Sequence, residues 1–195
     1  MNAALSPLQA ARRGARQSRF EKKARSAYDT IDPRAVAALR PHIRHLTRFI
    51  EPCAGKGDLV SQLQAIGLEC IDQFDIAPRA EGIRQQDALE WQGPLFNRPA
   101  IITNPPFYWP LVGDLIRHWV LQADSVWVLL PANFAHRATR ADLMRSCRAI
   151  VSIGQLRWEP GSKHKSVDLF AWFDFSRFSI GGTIFHPQRP IGKAA

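Results

Sequence analysis

Acidic residues are scarce in this chain: 17 Asp and Glu stand against 26 Lys and Arg, for a net charge of +9. That imbalance favours a polyanionic partner, most simply nucleic acid. Cysteine is scarce as well. Cys53, Cys70 and Cys147 are odd in number and far apart, with no C-x-x-C pair. This excludes a disulfide framework and a cysteine-built structural zinc site, and it fits a reducing, cytoplasmic setting. No metal ligand set is expected. No apolar run approaches the length of a membrane span, and the N-terminus lacks the apolar core of a secretory signal. Two nucleotide fingerprints are also missing. Without G-x-G-x-x-G or G-x-x-x-x-G-K-[ST], neither a dinucleotide site nor a P-loop is expected.

What remains is ordinary globular material. The chain has 195 residues, 46% of them apolar, enough for one domain with a normal core. Residues 1–27 form a basic arm with a single acid, Glu21. Within it Arg12, Arg16, Arg19 and Lys23 fall at i, i+4, i+7 and i+11, one face of a helix. The arm reads either as a solvated tail or as a phosphate-contacting segment. Residues 28–178 carry the periodic apolar segments of the folded domain. Residues 179–195 are rich in Gly and Pro and are expected to form an irregular tail.

Inside the domain, the sequence predicts a short helix over 33–39 and a first strand over 48–51. A turn, Pro52-Cys53-Ala54-Gly55-Lys56-Gly57-Asp58, leads into a helix over 59–66 that Gly67 ends. Strand, glycine loop and helix in this order make a nucleotide-type site, because glycine lets the backbone approach a ligand closely. Glu51 at the start of the loop suits a ligand with a positive end. A second strand over 68–76 ends at Asp75 and Ile76. Asp75 lies about twenty residues past the glycines, where an acid bonds ribose hydroxyls in such sites. A short third strand, 83–87, ends at Asp87 and Ala88. Further on, helices are expected over 112–121 and 139–147, and strands over 125–130, 150–158 and 167–175, the last two as an antiparallel hairpin. Trp127, Trp158 and Trp172 read as core. A basic loop, residues 159–166, carries Lys163, His164 and Lys165 between the hairpin strands.

The most informative stretch is Thr103-Asn104-Pro105-Pro106-Phe107-Tyr108. It follows an apolar strand, 99–102, and its two prolines cannot extend that strand. Asn104 offers an acceptor and two donors at the strand exit, and Phe107 offers an aromatic face. A polar notch beside an aromatic plate suits a planar ring that bears an exocyclic amino group.

Asn104-Pro105-Pro106-Phe107, with Glu51-Pro52-Cys53-Ala54-Gly55-Lys56-Gly57-Asp58 upstream, resembles the S-adenosylmethionine-dependent amino-methyltransferases, in particular small phage-type DNA adenine methyltransferases. The resemblance spans roughly residues 28–175. It implies an α/β fold with a Rossmann-like, class I methyltransferase sheet, mostly parallel with a C-terminal antiparallel hairpin. It implies S-adenosyl-L-methionine as cofactor, held by Glu51, Pro52, Ala54, Gly55, Gly57, Asp75, Ile76, Asp87, Ala88 and Asn104. A segment before the glycine loop often covers the cofactor's methionine end in this family. Tyr28 and Thr30 either do this or serve as helix-start and packing residues, since a Thr-Pro pair is replaced by Ile31-Asp32-Pro33. The implied catalytic residues are Asn104, Pro105, Pro106 and Phe107. Two acceptors, Asn104 Oδ1 and the Pro105 carbonyl, would draw the amino lone pair out of the ring. The implied activity is methylation of adenine N6 in DNA. RNA adenine, cytosine N4, a protein glutamine and a non-catalytic nucleic-acid binder are the alternatives. Lys163, His164 and Lys165 match a loop that approaches the target nucleic acid in relatives, or form a solvated loop.

Overall fold

The computed structural model describes residues 28–179 and 181–188. Ile101 and Ile102 are neighbours in strand β4 (Ala100–Thr103), and both are fully buried, yet they serve different cores. Side chains alternate across a strand, so a continuous apolar run requires cover on both faces. Strand β5 (Val126–Pro131) repeats the pattern: Val126, Val128 and Leu130 face one core, and Trp127 and Leu129 the other. Helix α3 (Leu111–Gln122) covers the first face through Leu115, Ile116 and Trp119. Helices α1 (Pro33–Leu39) and α2 (Asp58–Ala65) cover the second through Val36, Leu39, Leu59 and Leu63.

The remaining strands are β1 (Arg48–Glu51), β2 (Glu69–Asp75), β3 (Arg84–Gln85), β6 (Cys147–Gly154), β7 (Phe170–Phe175) and β8 (Ile184–His186). They form one sheet in the order β3-β2-β1-β4-β5-β7-β6-β8. β1 is parallel to both β2 and β4, while β7 is antiparallel to β5 and β6. The order reverses between β1 and β4. At such a switch point the connections leave in opposite directions, and a crevice opens beyond the carboxyl ends of the strands. Glu51 and Thr103, the last residues of β1 and β4, therefore stand at its floor.

Local chemistry fixes the start of α1. Asp32 caps it by accepting from the Arg34 backbone N–H at 3.1 Å, and Pro33 occupies the first helical position, where its missing N–H costs nothing. Asp32 also accepts from the Arg157 N–H at 2.9 Å, tying this corner to the segment after β6. Burial pushes the Asp32 carboxyl up, but the hydrogen bonds from Arg34 and Arg157 prevail and hold it below its ordinary range. The Trp172 indole donates to the Ala35 carbonyl at 2.8 Å and bolts α1 to the sheet.

Several elements depart from the sequence expectation. The helix expected over 139–147 is a single turn, α4 (Ala141–Met144), after two 3-10 turns, Ala132–His136 and Ala138–Arg140. No side chain caps α4, and Cys147 is already paired with Phe175 in β6 and β7. β6 begins three residues before the expected strand and stops at Gly154, whose φ of +93° suits glycine rather than a continuing strand. β3 is two residues long rather than five. The tail is not wholly irregular. Ile184–His186 pairs in parallel with Ala149, Ile150 and Val151, and Thr183 donates to the Cys147 carbonyl at 2.9 Å. Its Gly- and Pro-rich flanks hide a strand that satisfies the open edge of β6. Among the described residues, no helix is long and apolar enough to cross a membrane.

Candidate active site

One cleft of about 980 Å³, its open mouth included, lies over the switch point. Around it the structure places Tyr28, Thr30, Glu51, Pro52, Ala54, Gly55, Asp75, Ile76, Asp87 and Ala88, together with Asn104, Pro105, Pro106 and Phe107. Gly57 does not line it. That residue adopts φ +83° immediately before α2 and makes the turn that starts the helix.

The acidic side of the cleft is built by strand ends. Asp75 Oδ2 accepts from the Gly55 N–H at 2.9 Å and Oδ1 from the Ala77 N–H at 2.8 Å. A carboxylate oxygen has further acceptor capacity, so both can still receive hydroxyl hydrogens. Asp87 Oδ1 accepts from the Leu89 N–H at 2.9 Å, which orients it at the turn after β3. Glu51 is 1% exposed, and its Oε2 has no hydrogen-bond partner among the described residues. Burial pushes its carboxyl well above the ordinary range. The Asn104 backbone N–H offsets this only in part, and the nearby Asp75 adds to it. A cation beside this buried acid would favour its ionised form and offset the burial.

Asn104 anchors the other side. Its Nδ2 donates to the Tyr28 carbonyl at 2.9 Å and to Thr30 Oγ1 at 3.0 Å. A carbonyl can only accept, so this contact fixes which end of the amide is nitrogen. Both donor hydrogens are thereby used, and Oδ1 is left buried without a partner among the described residues. Thr30 is only 3% exposed, and its carbonyl accepts from Gln62 Nε2 of α2, which holds the lock in place. The chain then turns as the Tyr108 N–H donates to the Pro106 carbonyl at 2.8 Å.

Aromatic rings wall the cleft next to this notch. Phe107 lies 6.2 Å from Tyr28 between ring centroids, 5.4 Å from Phe170 and 6.2 Å from Trp158. Trp158 is half-buried and packs on Tyr28 at 5.2 Å. Trp158 backs Tyr28 and Phe107, which line the cleft, and packs against the second core, while Trp127 and Trp172 are core as expected.

Sequence reasoning missed an ion-pair clasp at the mouth. Asp29 accepts two hydrogen bonds from the Arg79 guanidinium, one at 3.1 Å, and Lys56 Nζ stands 3.4 Å from the same carboxylate. Both Asp29 and Arg79 line the cleft, 50 residues apart in the chain; Asp29 falls between Tyr28 and Thr30, and Arg79 belongs to no motif named above. Cys53 lines it too. Burial, then Asp75 and Glu51, push its thiol well above the ordinary range, which is unsuited to a thiolate nucleophile.

Of the predicted nucleic-acid residues, those that the structure describes do not line the cleft. Lys163, His164 and Lys165 are exposed on their loop, and none lines it. Arg12, Arg16, Arg19 and Lys23 lie outside the described residues. Among the described residues, no group of three or more His, Cys, Asp or Glu side chains could hold a metal ion.

No protein-family model matches this chain, and no curated protein matches it by sequence. Solved structures do. Protein 1320 of Thermoplasma acidophilum superposes with a TM-score of 0.52 at 17% identity, over 75% of this chain and 88% of that one. The 23S rRNA methyltransferase ErmE superposes with a TM-score of 0.51 at 15% identity, over 76% of this chain and 70% of that one. At these identities the likeness is one of fold. The sheet, with its antiparallel seventh strand inserted between β5 and β6, is the Rossmann-like sheet of class I methyltransferases.

Proposed function

We propose that this protein transfers a methyl group from S-adenosyl-L-methionine to the exocyclic amino nitrogen of adenine in nucleic acid, DNA being the acceptor that the sequence motifs favour. RNA adenine is the second reading, supported by the likeness of fold to an rRNA methyltransferase. The observation that carries the proposal is the Asn104 amide at the cleft beside Phe107, whose nitrogen is locked and whose Oδ1 is buried without a partner among the described residues.

The cleft fits the cofactor on its own chemistry. Gly55 lets the Asp29–Arg79 clasp close on the glycine loop at the mouth of the cleft, since a Cβ there would stand 2.7 Å from Arg79 and 3.0 Å from Asp29. Asp75 would hold the ribose hydroxyls, Asp87 the adenine amino group, and the unsatisfied Glu51 the cationic methionine end. When bound, the cofactor supplies a methyl group made electrophilic by a sulfonium.

The protein's own contribution is to the acceptor. An adenine amino nitrogen is a poor nucleophile because its lone pair is delocalised into the ring. Asn104 Oδ1 would accept one amino hydrogen and the Pro105 carbonyl the other, which favours a tetrahedral nitrogen with a localised lone pair. Phe107 would stack on the ring and hold the nitrogen in line. Fixing reacting groups in this way lowers a barrier by roughly 7–11 kcal/mol at best. In a duplex the base must first leave the stack, at a cost of about a few kcal/mol.

Incubation with methyl-labelled cofactor and, separately, DNA, RNA or total protein tests the reading. Label should appear as N6-methyladenine in nucleic acid. Asn104→Ala should fold and bind cofactor but lose on the order of a hundredfold or more in rate, as when a donor or acceptor at a reacting centre is removed. Near-normal turnover by Asn104→Ala would sink the proposal.

A further inference from the structure

Two residues beyond Phe107 the chain carries Trp109, and arginines gather on its indole. The Arg140 guanidinium lies 5.3 Å from the Trp109 ring centroid and 4.4 Å from that of Phe134. Arg117 lies 5.7 Å from the Trp109 ring. The arrangement is built rather than incidental. Gly113 of α3 has no side chain where a Cβ would stand 2.5 Å from the Trp109 ring and 3.2 Å from Arg117, so the indole lies directly on the helix.

Arg140 occupies this place at a cost. Its Nε–H is buried with no partner among the described residues, and neither it nor Arg137 has a salt-bridge partner there. Burial, and then the charge of Arg137, make its proton less tightly held than usual. Arg117 has only an exposed contact with Asp114 at 3.5 Å, of little value in water. Arg137 and Arg140 stand together with no counter-charge among the described residues, and Arg117 and Arg140 lie against aromatic rings, so the cluster favours an anion.

We propose that Trp109, Arg117, Arg137 and Arg140 form the docking site for backbone phosphates of the nucleic-acid strand beside the target nucleotide. The Trp109 ring seats Arg117 and Arg140, Arg137 adds its charge beside them, and guanidinium N–H groups meet phosphate oxygens in a forked geometry that lysine does not offer. Position supports this occupant. Phe107 lines the cleft, and two residues of chain span at most about 7 Å, so a strand that places one base in the cleft carries its neighbouring phosphates past Trp109. The proposal rests on the cleft being a methyl-transfer site for a nucleobase.

The test uses the full chain and a fluorescein-labelled, adenine-containing single-stranded 12-mer, made as DNA and as RNA, titrated at several salt concentrations. Arg137→Gln/Arg140→Gln should weaken binding at least tenfold and reduce the salt slope by about 1.4, the value for two phosphates on a single strand. Cofactor affinity by calorimetry should stay within twofold, which shows that the fold is retained. Arg137→Gln, at an exposed position, should alone remove about half of the slope change. Gly113→Ala should weaken oligonucleotide binding by displacing Trp109. Arg48→Gln, at the opposite end of the strands, should change nothing. Unchanged affinity and slope in the double variant, or an equal loss in Arg48→Gln, would overturn the proposal. If the wild type methylates the oligomer while the double variant binds it normally, the docking site is wrong and the cleft reading stands. Whichever oligomer shows the slope change identifies the strand chemistry.

Discussion

Thr30 Oγ1 stands 3.0 Å from Asn104 Nδ2, across 74 residues of sequence. The contact turns a generic amide into a directed one. With the Tyr28 carbonyl taking the second hydrogen, only the oxygen of Asn104 is left without a partner among the described residues.

If this lock matters, Thr30→Val should lower kcat by about tenfold, the equivalent of one hydrogen bond worth about 1–1.5 kcal/mol. Thr30→Ser, which keeps the hydroxyl, should restore most of the rate. A single-turnover assay checks this, and a wild-type rate for Thr30→Val would show that the amide needs no second anchor.

The aromatic wall makes a graded prediction. Phe107→Ala should reduce kcat/KM by the value of one stacked base, about 1–3 kcal/mol, while Phe107→Trp should retain activity because a π-face remains. Trp158→Ala should act mainly through the KM of the acceptor, since Trp158 does not line the cleft and reaches it only through Phe107, met edge-on at 6.2 Å, and Tyr28 at 5.2 Å. Steady-state kinetics on one oligonucleotide acceptor compare the three. A larger kcat loss in Trp158→Ala than in Phe107→Ala would reverse the assignment.

Glu51 predicts a pH dependence whose sign can be worked out. Its carboxyl is raised by burial, so the free protein carries no penalty below the ordinary carboxylate value of about 4.3. The penalty grows as pH rises from there toward the folded value. A cationic ligand favours the ionised form, so cofactor binding should release a proton and tighten with pH over the same window, by at most about tenfold per pH unit. Calorimetry in buffers of different ionisation enthalpy measures the release. Glu51→Gln should stabilise the free protein at neutral pH by on the order of 1–3 kcal/mol, yet bind cofactor more weakly and without this pH dependence. Proton uptake on binding would contradict the role.

Gly55 is constrained twice, by a φ of +56° and by Arg79 and Asp29 above it. Gly55→Ala should cost about 1–2 kcal/mol through the left-handed backbone, or roughly 2–8 °C in Tm for a chain of this size, and should weaken cofactor binding at least tenfold. Gly82 has a φ of +78° but open space around it, so Gly82→Ala should show the thermal loss with normal binding. Equal effects on binding at both positions would remove the clasp argument.

The strand exits were legible in the residue order because what marks them is local. Alternation and apolar runs name a strand, a glycine loop or a proline pair ends it, and the residue at the end is then known. Glu51, Asp75 and Asn104 follow from this, whereas Asp87, read as the end of a five-residue strand, lies on the turn after a two-residue one, and all four stand around one cleft. The limits of the short elements were not legible. Cys147 reads as the end of a helix but is claimed by pairing with Phe175, and Ile184–His186 becomes a strand only because β6 presents an open edge. The same distinction separates the residues of the site from their geometry. The lock of Thr30 and Tyr28 on Asn104, the Asp29–Arg79 clasp and the seat that Gly113 makes for Trp109 all depend on which strands are neighbours and on which helices cover them. That order is decided by burial of two apolar faces over the whole chain. Local patterning says which residues reach a strand end; global packing says which of them meet.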